Sequence, residues 1–314
     1  MSQVVLTIDQ PQMQRIKEYY QAFLAEQTPP GAIFAAKTEN CRITAYKSGK
    51  ILFQGKGAAE EAERWKTTGK ILEPAAKTAK RNDLPANIGF LSVIGSDEVG
   101  TGDYFGPIVV AAAYVKKENI RKLEELGVRD SKHLSDKKIA AIAGEIKDWL
   151  PHSLLVLKNE KYNDLQESGM SQGRMKAILH NHAIGHVLEK IAPEKPDAIL
   201  IDQFAEERIY FGHLEGQKEI HRENVYFSTQ AEGIHPAVAA ASILARYAFL
   251  LHFEQLSKLA GLPLPKGAGE EVDKTAAKLM LDKGAGFLRK VAKLHFANTK
   301  KAWNLAKSMK KHSS

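Results

Sequence analysis

Residues 90–115 read FLSVIGSDEVGTGDYFGPIVVAAAYV. Residues 91–95 have the composition of a buried strand that ends in Ser96-Asp97-Glu98, and Ile108–Val115 is a nearly continuous apolar strand. Charged residues do not normally extend a buried strand, because burying an unpaired carboxylate is expensive. A divalent cation removes that cost, and two hard cations need several carboxylates. Residues 198–201, AILI, repeat the pattern, with Asp202 following at once. Open α/β sheets place ligands at the carboxyl ends of their strands. Either acid alone is equally a strand end meeting water. Two such ends in one domain point to a site.

Outward from this stretch, residues 154–157 read as a third strand and Val225–Ser228 as a short fifth one, after the strand that leads into Asp202. Helices are predicted over 171–191 and 236–256. Three early strands with no helix between them, then strands separated by helices, predict a mixed sheet with helical cover: an α/β fold. Glu232, in QAEGIHPAVAAASILARY, falls just ahead of a helix that Pro236 should open. A capping carboxylate and a metal-facing one are both compatible with that place.

Other motifs carry less. Gly100-Thr101-Gly102 is not a dinucleotide fingerprint, because another strand follows it where a helix N-terminus is needed. Gly49-Lys50 and Gly69-Lys70 lack the rest of a phosphate-binding loop. His182 and His186 stand one helical turn apart, as zinc ligands can. The apolar stripe of that helix, Ala177, Ile184, Val187, Leu188 and Ile191, leaves both on the opposite side, so solvated histidines are expected.

Before residue 67 the pattern differs. Strands are predicted over 4–8, 31–37, 41–46 and 51–54, with a hairpin at Ser48-Gly49. Helices are predicted over 10–24, with Met13, Ile16, Tyr20 and Phe23 inward, and over 58–65. Arg42, Tyr46, Lys47 and Lys50 should share one solvent face, either a nucleic-acid surface or an ordinary half-exposed sheet. Residues 67–89 lack periodicity and read as a linker, which gives a small α+β domain over 1–66 and a second domain over 90–314.

The whole chain of 314 residues is 44% hydrophobic and 26% charged, the composition of a globular protein. The apolar runs at 108–115 and 237–251 are short or broken by polar groups, so no membrane span is expected. MSQVVLTIDQ is not a secretory signal, which predicts a cytoplasmic protein. Cys41 stands alone and excludes an internal disulfide or thiolate cage. The net charge of +8 is uneven: +4 over residues 1–90, −6 over 91–273 and +10 over 274–314. Basic ends around an acidic middle suit a polyanion held at the flanks of a carboxylate cluster, although a solvated lysine-rich tail would look the same.

SDEVGTGDYFGP, the triplet Asp130-Ser131-Lys132, the strand into Asp202, and AEGIHPAVAAASILAR together resemble bacterial ribonuclease HIII of the type 2 ribonuclease H family. The resemblance spans residues 91 to about 300. It implies a ribonuclease H-like mixed β-sheet flanked by helices, preceded by a small α+β domain similar to the TATA-box-binding protein fold. It also implies endonucleolytic hydrolysis of the RNA strand of RNA–DNA hybrids, leaving 5′-phosphate and 3′-hydroxyl ends. Two Mg²⁺ ions, with Mn²⁺ as substitute, would be held by Asp97, Glu98, Asp202 and Glu232. Substrate contacts would fall on Gly100, Thr101, Gly102, Lys132, Ser242 and Arg246. The resemblance carries no obligate protein partner, and a monomer is expected. Two alternatives stay open: ribonuclease HII-like cleavage at a single embedded ribonucleotide, and a non-catalytic hybrid-binding protein. Glu232, where the HII branch has Asp, and the Gly100-Thr101-Gly102 loop, where it has Gly-Arg-Gly, are features of the HIII branch. Gly267-Ala268-Gly269 stands loosely where HII proteins carry a tyrosine between glycines.

Overall fold

The computed structural model describes residues 3–312 except 9, 26, 27, 30, 47, 48, 67–83 and 129–133. Most of the expected linker, together with Lys47, Ser48 and Asp130-Ser131-Lys132, therefore lies outside the described residues. The chain forms two compact units, Met1–Arg81 and Asn82–Ser314.

The first unit is a four-stranded antiparallel sheet with two helices. Its strands are β1 (Gln3–Thr7), β2 (Ala32–Lys37), β3 (Arg42–Tyr46) and β4 (Lys50–Gln54), in the order β1-β4-β3-β2. Helices α1 (Gln10–Tyr19) and α2 (Ala58–Lys66) bring Met13, Ile16, Ala58 and Ala62 into one core with Phe34, Ile43, Ile51 and Phe53 of the strands. The first helix stops earlier than its apolar spacing predicts. Tyr20 is still buried, but Phe23 falls in a 3-10 turn and is half exposed. The β3–β4 register sets Arg42 opposite Gln54 and Thr44 opposite Leu52, so Arg42, Thr44 and Tyr46 share the face away from the core.

The second unit holds a five-stranded mixed sheet in the order β7-β6-β5-β8-β9. The strands are β5 (Val93–Val99), β6 (Ile108–Val115), β7 (His152–Leu157), β8 (Ala198–Asp202) and β9 (Val225–Ser228). β6 runs antiparallel to β5 and β7, while β8 runs parallel to β5 and β9. Two helices absent from the sequence expectation, α3 (Ile120–Glu125) and α4 (Asp136–Ile146), lie between β6 and β7. α3 buries only Leu123 and has no stripe, but α4 buries Ile139, Ile142, Ala143 and Ile146 at helical spacing behind the N-cap Ser135, a pattern the sequence carries. α5 (Asn159–Glu167) and α6 (Gln172–Ile191) precede β8, and α7 (Glu207–His213) precedes β9. α8 (Pro236–Ala260), α9 (Glu270–Lys283), α10 (Leu288–Val291) and α11 (Ala297–His312) complete the unit. The expected mixed sheet with helical cover is what forms.

β6 is apolar throughout because both of its faces are covered. Val109, Ala111, Ala113 and Val115 join the core under α8, and Ile108, Val110, Ala112 and Tyr114 join the core under α6. α8 is long and apolar enough to cross a membrane, and longer than the sequence reading allowed, but it is a core helix packed on β5 and β6. Its N-cap is His235, whose Nδ1 accepts from the Ala237 N–H at 3.0 Å. Glu232 is therefore not the capping residue.

The N-terminal turn of α8 rests directly on β5. A Cβ placed on Gly95 would lie 2.2 Å from the Ala237 carbonyl carbon and from the Val238 nitrogen. Both are backbone atoms, which cannot rotate aside. Gly95→Ala is expected to destabilise the second unit by at least about 2–3 kcal/mol, the cost of forced overpacking in a core. A thermal melt of the full chain, with separate transitions assigned by intrinsic fluorescence, checks this.

Candidate active site

Asp97 and Glu98 lie inside β5, not beyond its end, paired opposite Ala111 and Val110 of β6. The sequence expectation of a strand that stops before them is corrected on this point. Ladder hydrogen bonds use only the backbone, so a carboxylate extends a strand once its side chain has partners. Alternation along the strand then sends the two acids to opposite faces. Asp97 points to the α8 side with Val93, and Glu98 points to the α6 side with Ile94 and Ser96.

On the α8 side, the parallel register Ser96↔Ile201 places Asp202 next to Asp97 at the carboxyl ends of neighbouring strands. Asp202 Oδ1 accepts from the Ala231 N–H at 2.8 Å, which ties the end of β8 to the turn bearing Glu232. Glu232 is 9% exposed, as is Asp97. Asp97 Oδ1 accepts from the Glu98 N–H at 2.7 Å, and the Ser242 hydroxyl on α8 also bonds its carboxyl. Burial, then the charges of Glu98 and Asp202, nevertheless push the Asp97 pKa up to about 7.

On the α6 side, both oxygens of Glu98 are taken. Lys176 Nζ donates to Oε1 at 2.7 Å and His180 Nε2 meets Oε2 at 2.9 Å. Burial opposes the charge of Glu98, but the bond and charge of His180 and the charge of Lys176 hold its pKa below the ordinary value. Lys176 and His180 were missed at the sequence level, where attention fell on His182 and His186. Those two are exposed, as expected. The signal was present: His180 stands four and seven residues before Ile184 and Val187, on the buried stripe itself.

The four carboxylates are thus not gathered into a finished cage. Among the described residues no group of three His, Cys, Asp or Glu side chains is placed to hold a metal ion. Asp97 and Asp202 are neighbours on one side, with the turn bearing Glu232 tied to Asp202 through the Ala231 N–H, and Glu98 is drawn to the other. The donor set is all oxygen, which suits a hard cation, and the raised Asp97 pKa reports buried negative charge that such a cation would neutralise.

Gly100, Thr101 and Gly102 form the turn after β5. Gly100 has φ +93°, and a Cβ there would meet the Pro107 carbonyl oxygen at 2.2 Å. The Thr101 hydroxyl is buried without a hydrogen-bond partner, while the Thr101 carbonyl accepts from Gln172 at 3.3 Å. Asp103 Oδ1 accepts from the Gly267 N–H at 2.6 Å, so the Gly267-Ala268-Gly269 loop lies against this turn. Beneath it, the fully buried Lys293 donates to the Asp103 and Gly106 carbonyls at 2.7 and 2.6 Å. Arg246 is ion-paired with Asp136 at 2.8 Å, beside Lys266. Ser242 faces Asp97, and Lys132 lies outside the described residues.

A family profile described as Ribonuclease HII matches residues 94–299, and a domain of unknown function (DUF3378) matches residues 3–78. Ribonuclease HIII of Bacillus subtilis is 56% identical over 98% of both chains. Ribonuclease HIII of Bacillus cereus is 52% identical over 97% of this chain and 99% of its own. The crystal structure of Bst-RNase HIII in complex with Mn²⁺ superposes with a TM-score of 0.69 at 47% identity, covering 98% of this chain and 100% of that one.

Lys293 links stability to pH. Burial pushes its pKa down to about 7, well below the unfolded value, so between pH 7 and 10 the unfolded chain binds the extra proton. Stability from this group therefore rises with pH across that window. Lys293→Met, which strands buried carbonyl acceptors, should cost about 1–3 kcal/mol. Its deficit against wild type should widen from pH 7 to pH 9 in denaturant titrations.

Proposed function

The chain belongs to the ribonuclease HIII branch of the type 2 ribonuclease H family, endonucleases of the RNA strand of RNA–DNA hybrids, and on that footing we propose that Asp97, Glu98, Asp202 and Glu232 carry the reaction in this protein. The observation that carries the assignment is the closeness of Asp97 and Asp202, one residue beyond the last paired positions of the neighbouring parallel strands, in surroundings that push Asp97 up to about 7. Two divalent cations, Mg²⁺ with Mn²⁺ as substitute, supply when bound a lowered pKa for the attacking water and stabilisation of the leaving 3′ oxygen.

The chain's own residues fix where this happens. Asp97 is held by the Glu98 N–H and the Ser242 hydroxyl, so its carboxylate is oriented before any ligand arrives. Asp202 anchors the Ala231 N–H and so sets the position of Glu232. Gly100, Thr101 and Gly102 offer backbone groups to ribose 2′-hydroxyls, the handle that separates RNA from DNA. Lys293, Gln172 and Asp103 hold that turn in shape. The face carrying Arg42, Tyr46 and Lys50 in the first unit is proposed as a docking surface for the hybrid backbone, and Lys132 as a phosphate contact. We propose a cytoplasmic, monomeric enzyme with no obligate protein partner. The non-catalytic alternative is disfavoured by the retention of all four carboxylates.

Asp97→Asn should abolish cleavage in Mg²⁺ while leaving hybrid binding largely intact, since it removes a ligand but also a negative charge near the phosphates. Turnover at even about a tenth of wild type would contradict a two-metal site built on Asp97. A substrate comparison tests specificity. Ala268 presents no ring to a sugar at an RNA–DNA junction, and its loop lies against the Thr101 turn. A hybrid with a run of ribonucleotides should be cut efficiently, and a duplex with one embedded ribonucleotide little or not at all. Comparable rates at equal concentration in Mg²⁺ would favour HII-like specificity.

A further inference from the structure

Glu98 is held in a way that a metal ligand alone does not require. Lys176 and His180 stand one turn apart on α6, with side chains 9% and 0% exposed, and between them they take both of its oxygens. The histidine is fixed from behind. Its Nδ1 lies 2.7 Å from the Ser96 hydroxyl, which itself donates to the Ala111 carbonyl at 2.8 Å. The ring is thereby fixed between Ser96 on one side and Glu98 on the other. Phe204 backs the pair: the His180 ring stacks on it at 5.2 Å, and Lys176 Nζ sits 4.0 Å over its face. Phe204 is only two residues beyond Asp202, so the clamp and the acidic cluster share one strand end.

Two side chains that occupy both oxygens of one carboxylate exceed what a structural ion pair needs. We propose that Lys176 and His180 are positioning residues, with the lysine as an internal counter-cation. They hold Glu98 on the α6 side and compete with a divalent cation for its oxygens, so that cation binding must displace the lysine. This rests on the reading of Asp97, Glu98, Asp202 and Glu232 as metal ligands.

The test is calorimetric titration of Mn²⁺ into the full chain without nucleic acid, for wild type, Lys176→Met, Glu98→Gln and the double variant, with Asp97→Asn as reference. Removing the competing charge should tighten Mn²⁺ binding by about five- to tenfold, and the same change in the Glu98→Gln background should shift it less than about twofold. Mn²⁺ should also raise the Tm of Lys176→Met more than that of wild type. If Lys176→Met folds poorly, Lys176→Gln keeps a donor without the charge and should show the same tightening. Unchanged or weaker Mn²⁺ binding in both lysine variants, with Asp97→Asn losing it, overturns the counter-cation role alone. Wild-type affinity in Asp97→Asn overturns the metal-site reading itself.

Discussion

Carboxylates buried at the end of a sheet covered on both faces must be given partners or lose their charge, and the second unit is organised around that constraint. An isolated ionised carboxylate in such a place is held only by hydrogen bonds, opposite charge or a cation. Asp97 receives a backbone N–H and a serine hydroxyl, Asp202 a backbone N–H, and Glu98 a lysine and a histidine. None of these partners is close in sequence except the Glu98 N–H. They come from α6, α8 and the turn after β9, so the whole unit must be assembled before the site exists.

Close approach is what lets those partners arrive. α8 lies on β5 at Gly95, where no side chain intervenes, and this brings Ser242 within reach of Asp97. The run of alanines at 239–241 is buried against the same sheet and allows the helix to stay close over its first turns. On the other side, the small side chain of Ser96 leaves room for the His180 ring and anchors it. Small residues thus set the distances, and the charged residues use them. The substrate turn follows the same logic, since Gly100 lies against Pro107 and a buried lysine replaces a hydrophobic plug under the loop.

A ribonuclease H site has to select RNA, hold cations and release product, and these demands fall on separate parts of the unit. The strand ends supply carboxylates whose positions are fixed by register. The Gly100 turn and the Gly267 loop, joined through Asp103, form the surface proposed to meet the sugar. On the proposed assignment, rigid elements carry the ligands and loops the selectivity, a division that lets specificity change between branches of the family while the acidic site stays.

The sequence by itself determined the apolar strand Ile108–Val115 and the strand into Asp202, and it marked the acids proposed to carry the chemistry, because hydrophobic periodicity and an acid ending an apolar run are local signals. It also determined that His182 and His186 stay in solvent. It did not determine that β5 continues through Asp97 and Glu98, because strand length is settled by pairing with β6, nor that α3 precedes β7, because its single buried position, Leu123, gives no stripe; α4 is legible in Ile139, Ile142, Ala143 and Ile146. His235 rather than Glu232 caps α8, an outcome set by backbone geometry around Pro236. Above all, the division of the carboxylates between two faces, and the capture of Glu98 by Lys176 and His180, belong to the tertiary structure. Alternation along β5 is implicit in the sequence, but which face meets which helix is decided only when the sheet and its cover pack together.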